Sequence, residues 1–323
     1  MKAIRVHAFG GPDVLRLEEA PDPQPGAGEV VVQVAAAAVS PVDALTRTGH
    51  DPMGQTTLPY TPGREAAGTV AALGPDVAGV ALGDRVYVTG VRGGAYAERV
   101  VCASDQVHPL PAAVSFAQGA GISATYGTAY AALFHKAQAR PGETVLVQGA
   151  TGGVGLAAVQ LARAAGLSVI GTGGTERGRQ LLVEQGARHV LGYDAPDFAD
   201  RIMALTGGQG VDIALEMRAD ATLGRDLGVL APRGRAVVVG VGGPTPVEIS
   251  PATLMGRNLS IVGLDLGRSS ADEWTRSGAA IDAGLETGAL RPVVGEEYPL
   301  AGAPRAHEAL ARPGARGRIV LIP

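Results

Sequence analysis

Residues 144–155 read TVLVQGATGGVG. A short strand-forming run enters a cluster of glycines, and helix-spaced apolar residues follow at once in VGLAAVQLARAAG. A strand that ends in a glycine turn and feeds a helix constrains this chain more than any other feature. The helix must cross back over the sheet, so the next strand runs parallel to the first. The alternation then repeats. LSVIGT reads as a strand and 177–185 as a helix, then HVLGY as a short strand and 198–205 as a helix. VDIALEM follows as a strand, 221–230 as a helix and GRAVVVG as a strand. This pattern specifies an α/β fold with a doubly wound parallel sheet.

The flanking regions read differently. Up to about residue 120 the chain has short apolar runs cut by Gly and Pro. EVVVQVAAAAVS, AAGTVAALG, GDRVYVTG and YAERVVCA are expected strands, and PDPQPGAGE and DPMGQTTLPYTPG loops. The change comes near Gly119, where SATYGTAYAALFHKAQ takes up helical spacing with Tyr126, Tyr130 and Leu133 on one side. Beyond Leu266 a helix over 272–286, the stretch ALRPVVGEEYPL, a helix over 304–310 and a closing GRIVLIP are expected.

With 323 residues, 46% of them hydrophobic, the chain can bury the core of one large domain or of two ordinary ones. Its net charge of −4 and the lack of a basic cluster argue against a nucleic-acid partner. A single cysteine, Cys102, excludes an intrachain disulfide and leaves no cysteine set for zinc. The N-terminal MKAIRVHAFGG lacks the apolar core of a signal peptide, and no apolar run approaches a membrane span. A cytoplasmic protein is expected.

The glycine turn suits a pyrophosphate. Backbone N–H groups at a helix start point outward, and the helix dipole favours negative charge. The dinucleotide pattern Gly-x-Gly-x-x-Gly is met with Ala150 at its first position, then Gly152 and Gly155. A chain selective for NAD carries an acid at the end of the second strand to bind both ribose hydroxyls. Here that strand ends VIGTGG, with Thr172 where the acid is expected. Arg177 and Arg179 follow, and a guanidinium suits a 2′-phosphate. NADPH is therefore the expected cofactor. The alternative reading leaves both arginines solvated and gives the acid's role to Glu176.

Several stretches together resemble the zinc-independent quinone oxidoreductases of the zeta-crystallin type, within the medium-chain dehydrogenase/reductase superfamily. They are VSPVDALTRTG, LPYTPGREAAGTV, GAYAE, GATGGVGLAAVQLARAAGLSVIGTGGTERG, VDIALEM and PVVGEEYPLAGAPRAHEAL. The resemblance spans nearly the whole chain. It implies a mostly β, GroES-like catalytic domain over 1–120 and 267–323, with a Rossmann domain inserted over 121–266.

The resemblance also implies site residues. Thr151, Gly152, Gly153 and Val154 would meet the pyrophosphate. Gly174, Arg177 and Tyr193 would lie at the adenosine end, Tyr193 being equally readable as a strand-end aromatic. Val239, Gly240 and Val241 would flank the nicotinamide ribose with Thr222 nearby, and Leu264, Asp265 and Leu266 would approach from the far side. Arg318 would either reach the 2′-phosphate or stand on the surface of an end strand. Ser40, Asp43 and Thr128 are candidates for lining the acceptor pocket.

Zinc-dependent relatives place a ligand Cys where Ser40 stands, and a His where Arg64 stands in Gly63-Arg64-Glu65. Glu65 alone makes no zinc site, so no metal is expected, and Glu65 is read as a structural carboxylate paired with Arg64 or another cation. Members often carry a tyrosine in the loop after RTG. Here the loop reads HDPMGQTT, which implies a more polar pocket and brings in His50 as a proton-donor candidate. Without zinc the acceptor must already be electrophilic. The resulting expectation is an NADPH-dependent reductase of small-molecule quinones or α,β-unsaturated carbonyls, with electrons leaving nicotinamide C4. The alternative is an NADPH-binding structural or sensing protein with little turnover. The apolar run LSIVGLDL, read as an edge strand, points to a homodimer or homotetramer.

Overall fold

A computed structural model of the chain describes every residue except 52, 53, 55, 92, 244, 313, 315 and 316. The first elements are β1 (Lys2–Arg5), β2 (Arg16–Glu19), β3 (Glu29–Val39), α1 (Pro41–Arg47), β4 (Glu65–Leu73), β5 (Arg85–Thr89), β6 (Arg99–Ala103) and β7 (Val107–Pro109). Helices α2 (Phe116–Ala120) and α3 (Ile122–Tyr130) lead into β8 (Thr144–Val147), α4 (Gly153–Ala164), β9 (Ser168–Thr172), α5 (Glu176–Glu184) and β10 (His189–Leu191). The alternation continues with α6 (Phe198–Leu205), β11 (Val211–Glu216), α7 (Ala219–Asp226), β12 (Leu230–Val238), α8 (Pro251–Arg257) and β13 (Ser260–Gly263). The chain closes with α9 (Ala271–Glu286), β14 (Val294–Pro299), α10 (Ala303–Leu310) and β15 (Arg318–Ile322). It divides into two compact units, 1–124 with 291–313 and 317–323, and 125–290 with 314–316.

The first unit is built around β3. Its residues are buried along nearly the whole strand, because different partners cover it at each end. β4 pairs with most of its length, β6 with Glu29–Gln33 and β15 with Ala37–Val39, all antiparallel. The sheet order is β14-β15-β3-β4-β5-β7, with β6 added on β3. Val30, Val32, Val34 and Val39 of β3 meet Ile4, Tyr96, Leu300 and Leu321 in one core, so both ends of the sequence are needed to close it.

The second unit holds a six-stranded sheet in the order β10-β9-β8-β11-β12-β13, with every pair parallel. The chain winds one way from β8 to β10 and the other way from β11 to β13. The strand order therefore reverses between β8 and β11, and in such sheets ligands bind beyond the strand C-termini at that switch point. Leu146, Ile170, Leu191, Phe198, Ile202, Ala214 and Leu230 form the core beneath.

Three features differ from the sequence expectations. The second unit runs on to Leu290, not 266, because α9 packs within it: Ser277, Ile281 and Leu285 are buried, and Ser277 Oγ lies 3.1 Å from His135 Nε2. The helix expected through 123–138 changes pitch, and α3 passes into a π-helical stretch over Ala131–Lys136. Helices α1 and α8 are among the elements that the sequence reading does not include. Each starts with Pro in its first turn, where a missing N–H costs nothing. α1 also carries a Ser40–Asp43 capping box, and α8 ends on Asn258 in the left-handed conformation at φ 51°.

Candidate functional site

The glycine turn lies at the switch point. Gly149 takes a positive φ of 59°, and the turn is tied to the neighbouring strand β9. The amide of Ala150 donates to Thr172 O at 3.0 Å, and that of Gly149 to Thr172 Oγ1 at 2.9 Å. α4 then starts on Gly152, which has no side chain to cap the first turn, so the N–H groups of that turn are free for an anion. A Cβ on Gly155 would fall 2.5 Å from Ala150 Cα, a backbone atom that cannot yield. Only glycine lets the helix start sit this close to the turn. Thr151 is buried, while Gly152, Gly153 and Val154 are half-buried at the mouth. These residues fit a pyrophosphate.

The adenosine end needs a correction. Thr172 does not stand in place of a ribose-binding acid, because its side chain is fully buried and points under the turn. Its hydroxyl donates to Gln148 Oε1 at 2.8 Å while accepting from Gly149. Beyond the strand end Gly173 is buried as well, and Gly174 is the first exposed residue. A Cβ on Gly174 would lie 2.5 Å from the Tyr193 hydroxyl, so the half-exposed Tyr193 ring covers this glycine and the two expected residues meet. Arg177 is exposed on α5. Arg179 lies closer to the strand end: its Nη1 donates to Gly173 O at 3.3 Å, and Nη2 donates to Glu176 Oε2 at 2.6 Å. Arg179 is thus the cation nearer the strand end, with one ion pair to the exposed Glu176 carboxylate.

At the ends of β12 and β13 a depression of about 490 Å³ is lined by Lys136, Val239, Gly240, Val241, Leu264 and Asp265, among others. It unites five of the residues expected around the nicotinamide ribose. Leu266, half-buried, starts the next turn, where Asp265 accepts from Gly267 N at 3.0 Å and pairs with Arg268 at 3.2 Å. Thr222 is not among the residues that line this depression, and its hydroxyl donates to buried Glu216 Oε2 at 2.5 Å.

In the first unit the acceptor-pocket candidates resolve differently. Ser40 is half-buried and its hydroxyl donates to Asp43 Oδ2 at 2.9 Å. Asp43 is buried and does not line a surface. Its Oδ2 also accepts from Ser40 N at 2.8 Å and from the Tyr96 hydroxyl at 3.2 Å. Behind it, Tyr96 Oη lies 3.1 Å from His307 Nε2, and Arg47 Nε donates to His307 Nδ1 at 3.3 Å. Arg47 must donate, so the imidazole hydrogen sits on Nε2 and points to Tyr96, which in turn donates to Asp43. Burial, and then the Arg47 charge, hold His307 down at about 4, so it is neutral near pH 7. Thr128, the third candidate, is half-buried on α3 in the second unit.

Glu65 is buried, and its carboxylate accepts from Arg318 Nη2 at 2.6 Å and from the amide of Ala124. Arg318 is therefore neither a surface residue nor a free cation for a 2′-phosphate. Arg64 instead pairs with Asp51 at 3.3 Å, and Asp51 Oδ2 accepts from both the amide and the hydroxyl of Thr56. His50 is exposed, with Nδ1 3.3 Å from Thr48 Oγ1. Residues 52, 53 and 55 of the same loop lie outside the described residues. Burial pushes the Cys102 thiol up to about 12, which makes it a poor nucleophile. Among the described residues no cluster of three or more His, Cys, Asp or Glu is arranged for a metal, and no helix is long and apolar enough to cross a membrane.

Residues 26–112 match the alcohol dehydrogenase GroES-like domain and residues 153–282 the zinc-binding dehydrogenase domain. The chain is 43% identical to the quinone oxidoreductase of Sus scrofa, over 100% of this chain and 98% of that one. The Escherichia coli quinone oxidoreductase solved with NADPH superposes with a TM-score of 0.87 at 31% identity, covering both chains in full. A structure described as an NAD-dependent alcohol dehydrogenase superposes with 0.91 at 32% identity, again over both full chains. The α/β fold, the reversed strand order, the glycine turn and this full-length identity lead to one assignment: the chain belongs to the quinone oxidoreductase family of medium-chain dehydrogenases/reductases and is an oxidoreductase enzyme.

Proposed function

We propose that the protein is a zinc-independent, NADPH-dependent reductase of quinones and of α,β-unsaturated carbonyls. The observation that carries the cofactor choice is the turn that follows β9. It offers Gly173 and Gly174 with no carboxylate of their own, the Tyr193 ring over Gly174, and Arg179 against Gly173. A 2′-phosphate meets a cation there, whereas an NAD-type site offers an acid. One similar structure holds NADPH and another is an NAD-dependent alcohol dehydrogenase, so the residues must decide.

Bound NADPH would supply the hydride. The chain's part is to bind and orient. The first turn of α4 holds the pyrophosphate, and Val239, Gly240, Val241, Leu264 and Asp265 hold the nicotinamide end in a largely apolar depression. Such a setting keeps water from the reacting carbon and fixes the approach of the acceptor. The zinc-free reading is supported by donors already in use. The Ser40 hydroxyl belongs to Asp43, and the Glu65 carboxylate to Arg318. A quinone or enone needs no metal to polarise it, which matches a site whose polar groups serve the fold.

The test is NADPH oxidation with a panel of quinones, enones and simple aldehydes, run before and after chelation. Turnover of the first two groups that survives chelation is expected. Tight NADPH binding without turnover of any acceptor would establish a binding protein instead. Activity lost with a stoichiometric metal would overturn the zinc-free reading.

A further inference from the structure

Two carboxylates with no access to water meet directly behind the dinucleotide site. Glu216 closes β11 and Asp226 closes α7, and both are fully buried. Asp226 is well supplied with donors: Gln148 Nε2 reaches Oδ2, and Arg225 Nε reaches Oδ1 at 2.9 Å. Glu216 has the Thr222 hydroxyl on Oε2, but its Oε1 is buried with no ordinary donor or acceptor beside it. Its neighbour is the Asp226 carboxyl, which as a carboxylate has no hydrogen to donate. Two adjacent buried carboxyls cannot both ionise, and the proton goes to the one with fewer donors.

The position of the pair gives it a role. Asp226 holds Gln148, whose Oε1 accepts from Thr172, whose Oγ1 accepts from Gly149 in the glycine turn. On the other side the carbonyl of Glu216 accepts from the amides of Val239 at 2.9 Å and Gly240 at 3.0 Å, both lining the depression. The Glu216 main chain thus supports one end of the cofactor site, and its side chain meets Asp226, which supports the other through Gln148. We propose that Glu216 is a positioning residue: it stays a neutral acid that shares its hydrogen with Asp226, and this shared hydrogen holds the glycine turn in its dinucleotide-binding form. The role rests on the cofactor reading above.

The charged groups around the pair are few. Asp226 and Arg225 face it from α7, and Arg225 is itself held by Tyr193 O at 2.7 Å. Arg218 and Asp220, at the start of α7, pair with each other at 3.4 Å. Gln148 and Thr172, from the ends of β8 and β9, carry no charge. Arg225 is the cation at the pair and already binds Asp226, so ionising Glu216 must push Asp226 away and slacken Gln148. Burial and then Asp226 hold the Glu216 carboxyl up at about 9.

The experiment measures NADPH affinity of the whole chain by fluorescence at about pH 7 and about pH 10, with the infrared carbonyl band of the ligand-free chain followed over the same range. The wild type should weaken about tenfold or more across the range. Glu216→Gln, which cannot ionise, should lose that dependence whatever its affinity at neutral pH. Asp226→Asn, which removes the neighbouring charge, should move the transition to lower pH if neutral Glu216 is set by the pair. A protonated-carboxyl band at neutral pH, titrating away with alkali, is expected in the wild type even if the Gln variant does not fold. Absence of that band, or the same pH course in wild type and Glu216→Gln, overturns the proposal. A wild type that binds neither NADPH nor NADH at neutral pH overturns the cofactor reading instead, and the band still decides the acid pair.

Discussion

Glu65 and Arg318, 253 residues apart in the chain, join carboxylate to guanidinium at 2.6 Å in the interior of the first unit. Glu65 opens β4 and Arg318 opens β15, so the pair links the early strands to the end of the chain. Removing one charge leaves the other buried and unanswered, and Arg318 Nε already has no partner. Glu65→Gln should therefore cost about 3–5 kcal/mol in urea unfolding. The double variant Glu65→Gln with Arg318→Met should recover much of that loss. If the single variant unfolds at the wild-type denaturant concentration, the pair contributes no stability.

The neutral imidazole of His307 makes stability depend on acid. Its folded value of about 4 lies below the ordinary 6.5, so the unfolded chain binds the extra proton first. The contribution is complete above about pH 6.5 and is lost as pH falls toward 4, by on the order of 3 kcal/mol. His307→Gln removes the titration. The difference in stability between wild type and variant should therefore change through this window and stay level above it. A constant difference from pH 7 down to 4 would show that His307 is not held neutral.

Much of the second unit was legible in the sequence because its signals are local. The glycine turn, the strand–helix alternation and most helix limits, such as Phe198–Leu205, depend on residues a few positions apart. α1 and α8 carry local signals too, a capping box at Ser40 and a Pro251 start with an Asn258 stop. The partners were not legible. Glu65 finds Arg318 and not its neighbour Arg64, and Tyr96 finds His307 across 211 positions, because sheet closure brings them together. Thr172 was misread for a related reason. Side chains alternate along a strand, and whether a strand-end residue points into the core or toward a ligand depends on a register the sequence does not display.

Arg179 tests the cofactor choice. Arg179→Gln should reduce the preference for NADPH over NADH about tenfold, with NADH affinity little changed because it lacks the 2′-phosphate. Arg177→Gln should act more weakly, since Arg177 is exposed. Carboxylates at Gly171 or Thr172 are poor tests. A Cβ on Gly171 already meets Leu182 Cδ1 at 3.2 Å, and Thr172 is fully buried, so either change should unfold the domain before it alters selectivity. Equal preference in wild type and Arg179→Gln, by isothermal titration with both cofactors, would remove Arg179 from the site.

Assembly is the last expectation. β13 pairs with β12 on one side only and forms one edge of the six-stranded sheet. Its main chain offers unpaired N–H and C=O groups along Ser260–Gly263, and an apolar edge of this kind pairs readily with a copy of itself. A two-fold dimer would join two sheets through this strand. The side chains select the test. Leu259 is buried and Ile261 packs against the same core, so lysine at either should unfold the domain. Val262 is half-buried and, by strand alternation, lies on the opposite face from Ile261. Val262→Lys should therefore leave the thermal midpoint close to wild type while shifting the sedimentation coefficient from dimer to monomer. A wild-type chain that sediments as a monomer at micromolar concentration would show that β13 remains an unpaired edge in solution.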